Sequence, residues 1–359
     1  MIVDTYTELL EWGLRPVEGR KLFCIAGPCA AESREQVLAC AKALRPMGVT
    51  AFRAGAWKPR TRPGSFEGVG EEALEWLAEV REDLGMQVAV EVATPSHVEQ
   101  ASRHGIDIFW IGARTSSDPF AMQELASALR GSDRTVLVKN PISPDVNLWI
   151  GAVERLLGAG ISRCGAMLRG FTSSHPGKLR NDPGWHVAID FRQRMPSVPL
   201  LCDPSHIAGR RDKIQEVAQV ALNLAFDGLF VEVHTEPDKA LSDARQQLTP
   251  EAFASAIEGL ETRARSRAAG EDLRLDALRA QIDDLDYEIL SAVAKRMETV
   301  REIGRLKRSS NLSVLQPERW NAVLEGMKRQ GAGMGLAPEF VETLARLLHS
   351  QAIDMQLRE

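Results

Sequence analysis

No uninterrupted apolar run in the 359 residues reaches the roughly 20 that a membrane-spanning helix needs, so an integral membrane protein is not expected. The first residues carry Asp4, Glu8 and Glu11 within their apolar stretch and lack a basic leader, so no signal-peptide pattern is present and a soluble, cytoplasmic protein is expected. Basic excess is lacking too. The net charge is -5, spread along the chain, which gives no general electrostatic case for nucleic acid or an anionic membrane as partner. Cysteine is scarce: Cys24, Cys29, Cys40, Cys164 and Cys202 are odd in number and too sparse for a disulfide scaffold in a chain of this length. At least one is available as a metal ligand instead.

What is present is an ordinary globular composition on a chain longer than the roughly 250 residues of a typical barrel domain, which predicts one large domain and a small one. One pattern recurs eight times: a short apolar run, a charged or metal-competent residue at its end, then a helical stretch. The runs are Leu22 to Ala26 leading to Cys29, Val49 to Ala54 with Arg53, Val88 to Val92 with Glu91, and Ile106 to Ile111 leading to Arg114. They continue with Thr135 to Lys139, Ala166 to Arg169, Val198 to Asp203 and Leu229 to His234. Segments such as Glu71 to Leu84, Phe120 to Leu129, Val146 to Leu157 and Asp212 to Ala225 lie between them with apolar residues at helical spacing. Eight strand-helix units predict an α/β fold, a (β/α)8 barrel of the TIM type, whose active face is built at the C-terminal ends of the strands.

The charged endings carry the functional reading. Any one of Arg53, Glu91, Arg114, Lys139, Arg169, Asp203 and Glu232 alone is an ordinary charge beside a packed sheet, but all seven fall at or near the same end of their strands. Four are cationic, and Lys58, Arg60 and Arg62 follow the second strand. Like charges converging in one mouth repel by several kcal/mol at an effective dielectric near ~20, so they imply a polyanionic occupant. Arginine suits phosphate and carboxylate bidentately, and lysine adds a point charge. A second set, Cys29, His206, Glu232 and Asp243, mixes soft and hard donors from different strand ends, and fits one divalent ion such as Mn, Fe, Co or Zn. Glu232 most of all demands such a partner, because an ionised carboxylate in a buried strand costs several kcal/mol unless it is paired or metal-bound.

The motifs Ala26-Gly-Pro-Cys, Arg53-Ala-Gly-Ala-Trp-Lys-Pro-Arg-Thr, Ile111-Gly-Ala-Arg, Val138-Lys-Asn-Pro, Leu168-Arg-Gly, Asp203-Pro-Ser-His and Val231-Glu-Val-His resemble 3-deoxy-D-arabino-heptulosonate 7-phosphate (DAHP) synthase, and most closely its type I beta subclass. The resemblance spans about Lys21 to Ile257. It implies condensation of phosphoenolpyruvate with erythrose 4-phosphate, the first step of aromatic amino-acid synthesis. It also implies that Cys29, His206, Glu232 and Asp243 bind the metal. Arg114, Lys139 and Arg169 would clamp phosphoenolpyruvate with Arg53, Lys58 and Glu91 beside them, Arg60 and Thr61 would bind erythrose 4-phosphate, and His234 would face the substrates. Lys139, Glu91 and Lys58 are the candidate catalytic residues of the barrel, with Lys139, Glu91 and a metal-bound water the candidates for proton transfer. The alternative on this fold is 3-deoxy-octulosonate 8-phosphate synthase, which carries a Lys-Ala-Asn-Arg-Ser-Ser type motif where Lys58-Pro-Arg-Thr stands here.

After Leu260 the texture changes. Thr262 to Gly270 is a charged linker of small residues without apolar periodicity, so residues 1–261 are assigned to the barrel, 262–270 to the linker and 271–359 to a small all-α domain of three helices. Leu278, Ile282, Leu285, Ile289, Val293, Met297, Val300 and Ile303 recur at three- and four-residue spacing on a helix reaching about Lys307, followed by helices opened by Pro317 and Pro338. A helix that long is unstable alone, and dimerisation through it is the economical solution. Leu278-Arg-Ala-Gln-Ile-Asp, Lys295-Arg-Met-Glu, Ile303-Gly-Arg-Leu-Lys, Pro317-Glu-Arg and His349 through Gln356 resemble the all-helical chorismate mutases. The resemblance implies rearrangement of chorismate to prephenate, with Arg279, Arg296, Lys307, Arg319 and Gln356 binding the substrate, Arg296 and Lys307 as the catalytic cations, and Arg279 reaching the partner chain. Gln316 and Trp320 stand where many members carry acidic residues. The alternative is a helical module that only dimerises or regulates. Fusion of the two activities implies feedback by chorismate or prephenate.

Overall fold

A strand with barrel interior on one side and helices on the other has no face for solvent, which is why the runs are apolar at nearly every position. The computed structural model describes residues 5–58, 64–172, 179–262 and 273–358. The strands are β1 (Phe23–Gly27), β2 (Ala51–Arg53), β3 (Val88–Val92), β4 (Ile108–Ile111), β5 (Thr135–Lys139), β6 (Cys164–Leu168), β7 (Leu200–Cys202) and β8 (Gly228–Glu232). Each pairs in parallel with the next, and β8 closes on β1 with Gly27 opposite Glu232, giving the expected eight-stranded barrel.

Alternation along the strands sorts the core into two shells. Phe23, Ile25, Ala51, Ala89, Ile108, Trp110, Leu137, Met167, Leu201 and Phe230 fill the interior. Their neighbours Cys24, Phe52, Val90, Phe109, Val138, Ala166, Cys202 and Leu229 pack outward under the helices. The same period of two places Arg53, Glu91, Gly112, Lys139, Arg169, Asp203 and Glu232 each two residues beyond an interior apolar residue, as the top layer of the barrel. Some of the strands are shorter than their apolar runs. Val49 to Ala54 contracts to Ala51–Arg53, Val198 to Asp203 contracts to Leu200–Cys202, and β8 ends at Glu232, so Asp203 and His234 lie just past the ladder.

Gly27, in the Ala26-Gly-Pro-Cys motif, has no alternative at its position. Its φ is +153°, and a Cβ there would stand 2.1 Å from Arg53 O. The opposite end of the barrel is closed by a helix that periodicity does not reveal, Thr5–Glu11. Its Leu9, with Leu14, joins the interior cluster, and Thr5 Oγ1 donates to Asp227 Oδ1 at 2.5 Å just before β8. The outer helices open on side-chain caps: Ser33, Thr94, Asp118, Asp145 and Thr249 each accept from a backbone N–H of the first turn.

The chain divides into two compact units, Met1–Arg265 and Ser266–Glu359. The expected linker lies outside the described residues from 263 onward. In the second unit the long helix is Leu273–Ser309, 37 residues or roughly 55 Å, followed by Pro317–Gly333 and Pro338–Arg358. Met297, Val300 and Ala352 form a small core with Val293, Leu348 and Met355. Toward its N-terminal half the long helix leaves its apolar stripe uncovered: Leu278, Ile282, Leu285, Ile289 and Leu290 are all exposed.

Candidate active site

The top layer of the barrel opens into a cavity of about 380 Å3, lined among others by Lys58, Glu91, Arg114, Lys139, Arg169, Arg180, Asn181, His206 and Asp243. Arg53 lies beneath them, 1% exposed, with its guanidinium 4.3 Å from the Phe230 ring centroid and Nη2 3.2 Å from Glu232 Oε1. Its Nε and Nη1 are buried and have no hydrogen-bond partner among the described residues, the state expected of a fork built to receive an anion. Lys58 donates to Cys29 O at 2.7 Å. Burial pulls its ammonium down, but the surrounding Cys29, Glu91 and Glu232 outweigh that and hold it above its ordinary value. Burial pulls Arg169 down, with Arg180 and Arg114 adding repulsion. Its side chain donates to Asn181 Oδ1 at 3.1 Å, and its backbone N–H donates to Asn140 Oδ1 at 2.6 Å. Glu91 Oε2 accepts from Trp110 Nε1 at 3.1 Å, which fixes the carboxyl at the cavity wall.

Beside the cavity, four donor groups from three strand ends meet, Cys29 after β1, His206 after β7, and Glu232 and Asp243 at and after the end of β8. The donor atoms of Cys29, Glu232 and Asp243 lie within 4.8 Å of one another. His206 Nε2 stands 3.8 Å from Glu232 Oε1 and 3.9 Å from Asp243 Oδ2. His206 Nδ1 is 2.7 Å from Asp203 Oδ2, a contact that favours the proton on Nδ1 and leaves the Nε2 lone pair on the side of Glu232 and Asp243. These separations are spanned by metal-ligand bonds of about 2.0–2.3 Å, and a thiol, an imidazole and two carboxylates are a transition-metal donor set. The residues therefore fit a divalent ion. Burial, with Glu232 next to it, pushes the Cys29 thiol up to about 12, so without a cation it holds its proton.

The placement of the expected residues divides cleanly. Cys29, His206, Glu232 and Asp243 come together, as do Lys58, Glu91, Arg114, Lys139 and Arg169 around the cavity. Arg60 and Thr61 lie outside the described residues. His234, expected to face the substrates, does not line the cavity: β8 has ended, its Nδ1 accepts from Glu236 N at 2.9 Å, and its Nε2 lies 3.8 Å from Glu32. Arg180, Asn181, Gln246 and Gln247 belong to the site and escape sequence reasoning, since they sit in turns without periodicity. Gln246 donates to Glu232 Oε2 at 2.7 Å, and Gln247 Oε1 accepts from Cys29 N at 2.9 Å. The one sequence signal for the pair is two adjacent glutamines that begin three residues after Asp243.

In the helical unit, Arg296 Nη1 donates to Leu348 O at 3.2 Å, and Lys307 Nζ donates to Val314 O at 2.6 Å. Burial lowers His349, with the charges of Arg296 and Lys307 adding to it, and its ring stacks on Trp320 at 3.9 Å. Gln356 packs against Gly304 with its Oε1 buried and without a partner among the described residues. Arg296, Lys307, His349 and Gln356 thus share a neighbourhood. Arg319 is exposed, and Arg279 is exposed 17 residues before Arg296, about 25 Å back along the same helix.

A closed parallel barrel whose strand ends deliver cations and a mixed metal-ligand set to one mouth is an enzyme for anionic small molecules. The profile of the DAHP synthetase I family matches residues 13–266, and the chain belongs to that family. The chorismate mutase type II profile matches residues 278–357, so the chain is a bifunctional enzyme with a synthase (transferase) and a mutase (isomerase) domain. Phospho-2-dehydro-3-deoxyheptonate aldolase of Thermotoga maritima is 33% identical over 237 residues, covering 65% of this chain and 67% of the relative. The 2-dehydro-3-deoxyphosphooctonate aldolase of Desulfatibacillum aliphaticivorans is 31% identical over 263 residues, 67% of this chain and 90% of that protein. The crystal structure of the Thermotoga maritima DAHP synthase superposes with a TM-score of 0.59 at 31% identity, over 66% of this chain and 67% of that one.

Proposed function

We propose that the barrel condenses phosphoenolpyruvate with erythrose 4-phosphate to DAHP and phosphate, with one divalent ion (Mn, Fe, Co or Zn) held by Cys29, His206, Glu232 and Asp243. The observation that carries this reading is the buried Arg53 fork with two partnerless donors beside that ligand set. Arg114, Lys139 and Arg169 clamp phosphoenolpyruvate with Arg53 and Lys58 beside them, while Arg60 and Thr61 receive the aldose phosphate. The chemistry such an ion supplies when bound is Lewis-acid polarisation of an aldehyde oxygen. The cations hold both anions in register, so that carbon 3 of phosphoenolpyruvate forms a bond to the aldehyde carbon. Water then adds at carbon 2 and phosphate leaves. Lys139 and Glu91, both lining the cavity, are the residues assigned to move protons in these steps.

Erythrose 4-phosphate, rather than a five-carbon aldose phosphate, rests on Lys58-Pro-Arg-Thr. The test measures phosphate release from phosphoenolpyruvate with erythrose 4-phosphate and with arabinose 5-phosphate, before and after chelation. Chelator-sensitive release with the four-carbon sugar is expected. Preference for arabinose 5-phosphate would replace the substrate assignment, and chelator-insensitive turnover would remove the metal.

For the helical domain, residues 271–359 after a 262–270 linker and a 1–261 barrel, the proposal is rearrangement of chorismate to prephenate by fixed cations and donors: Arg296, Lys307, Arg319 and Gln356 of one chain with Arg279 of a second. The 25 Å step from Arg279 to Arg296 and the uncovered apolar stripe support a homodimer through the long helix. Mixing an Arg279→Ala chain with an Arg296→Ala chain should restore activity that neither has alone. Prephenate or chorismate bound there is proposed to slow the barrel, and equal barrel kinetics with and without saturating prephenate would remove that proposal. No described helix is long and apolar enough to cross a membrane, and a cytoplasmic setting is proposed with the biosynthetic role.

A further inference from the structure

We propose that Arg180 and Gln246 form a bracket that decides which carboxylate oxygens of Asp243 and Glu232 are presented to the metal, and that ties this geometry to the substrate cavity. The inference rests on the metal reading given above. Each carboxylate has two oxygens, and a ligand set works only if one from each is aimed at the centre. Arg180 Nη1 donates to Asp243 Oδ1 at 3.1 Å and to Gln246 Oε1 at 2.5 Å. Gln246 Nε2 in turn donates to Glu232 Oε2 at 2.7 Å. The outer oxygen of each carboxylate is thereby occupied. The inner ones, Asp243 Oδ2 and Glu232 Oε1, are those that face His206 Nε2 at 3.9 Å and 3.8 Å.

The backbone is shaped for this. Asp243 has a φ of +46° and begins a 3-10 turn over Ala244–Gln246, closed by Gln246 N donating to Asp243 O at 3.1 Å. Side chains three residues apart eclipse one another in such a turn, which sets Gln246 beside Asp243. A primary amide is required at 246 because the position must donate to a carboxylate and accept from a guanidinium at once; a glutamate cannot do the first, nor a lysine the second. Gln246 is 1% exposed, so water does not replace a bond it loses. Arg180 also lines the cavity, with donors beyond those the bracket uses, and so links substrate anions to the metal ligands.

The test titrates metal-free enzyme with cobalt(II), following the thiolate-to-cobalt band that Cys29 gives, and measures the dissociation constant by chelator competition. Gln246→Met and Gln246→Glu should weaken cobalt by about 10- to 100-fold and shift the band. Phosphoenolpyruvate binding by metal-free Gln246→Met, measured by calorimetry, should match the parent. A parallel loss there means general damage and overturns the bracket, as does cobalt affinity within threefold of the parent with an unaltered band. Arg180→Met provides a variant outside the buried face: joint losses smaller than the product of the single ones support the bracket, and multiplicative losses overturn it. A parent enzyme without the thiolate band overturns the underlying metal reading, an outcome distinct from a Gln246 variant that loses nothing.

Discussion

The Lys139 ammonium lies 2.7 Å from Asp203 Oδ2, and the same oxygen is 2.7 Å from His206 Nδ1. One buried carboxylate therefore serves a substrate-side cation and a metal-side imidazole. Burial pushes the Asp203 carboxyl up, but His206 and Lys139 outweigh it and hold it well below the usual carboxylate range. Asp203→Asn removes the counter-charge of Lys139, which is only 5% exposed. Breaking a buried pair on one side costs about 3–5 kcal/mol, and loss of an orienting partner costs about 10- to 100-fold in metal affinity or activity. Both losses are expected, by chemical denaturation of the barrel and by kcat/KM with titrated metal. A variant as stable and as active as the parent would mean that Lys139 needs no counter-charge.

Gly112→Ala is expected to separate activity from stability. Gly112 has a φ of -70° and a ψ of 158°, which any residue adopts, but a Cβ there would meet Glu91 Oε1 at 2.2 Å. That oxygen ends a flexible side chain, so the clash is relieved by turning Glu91 away from Trp110 Nε1. Thermal stability should change little, while kcat falls by at least about tenfold if Glu91 moves a proton. Steady-state kinetics beside a melting curve checks it, and unchanged kcat would remove Glu91 from the chemistry.

Arg53, Glu91, Lys139 and Glu232 are legible in the sequence because each interrupts an apolar run, and a period of two then places them on the interior face. Cys29 and His206 are legible through motifs beside strand ends. His234 shows where that logic stops. It follows Glu232 by two residues and would share its face in a longer strand, but its N–H donates to Leu248 O instead and its ring turns to Glu32. Arg180 and Gln246 were not legible because a turn has no repeat, and their meaning lies in contacts across 66 residues of chain. The Thr5–Glu11 helix is too short for a periodic stripe, and Leu9 is its one large residue that is fully buried in the barrel interior.

That residue supplies a stability prediction. Leu9 is fully buried within the interior cluster that also holds Phe23 and Phe230. Leu9→Ala should cost about 2–5 kcal/mol, through lost burial and the cavity left behind. Denaturant unfolding followed on the barrel's near-ultraviolet signal checks it. A cost below about 1 kcal/mol would show that the helix does not plug the barrel in solution.

The helical domain carries its own pH dependence. Hydrogen bonds from Lys328 and Arg346, each 2.6 Å away, lower the Glu342 carboxyl from 4.5 to about 2. A carboxylate held below its unfolded value stabilises the fold above about pH 4.5, and that contribution is lost as the pH falls toward 2. Glu342→Gln should thus open Pro317–Gly333 and Pro338–Arg358 faster than the parent at neutral pH, with the difference vanishing near pH 2. The group is a third exposed, so added salt should also shrink the difference. Hydrogen-deuterium exchange of peptides from these two helices reads both effects, and a gap that widened in acid would reverse the sign and exclude the Lys328–Glu342–Arg346 cluster as its source.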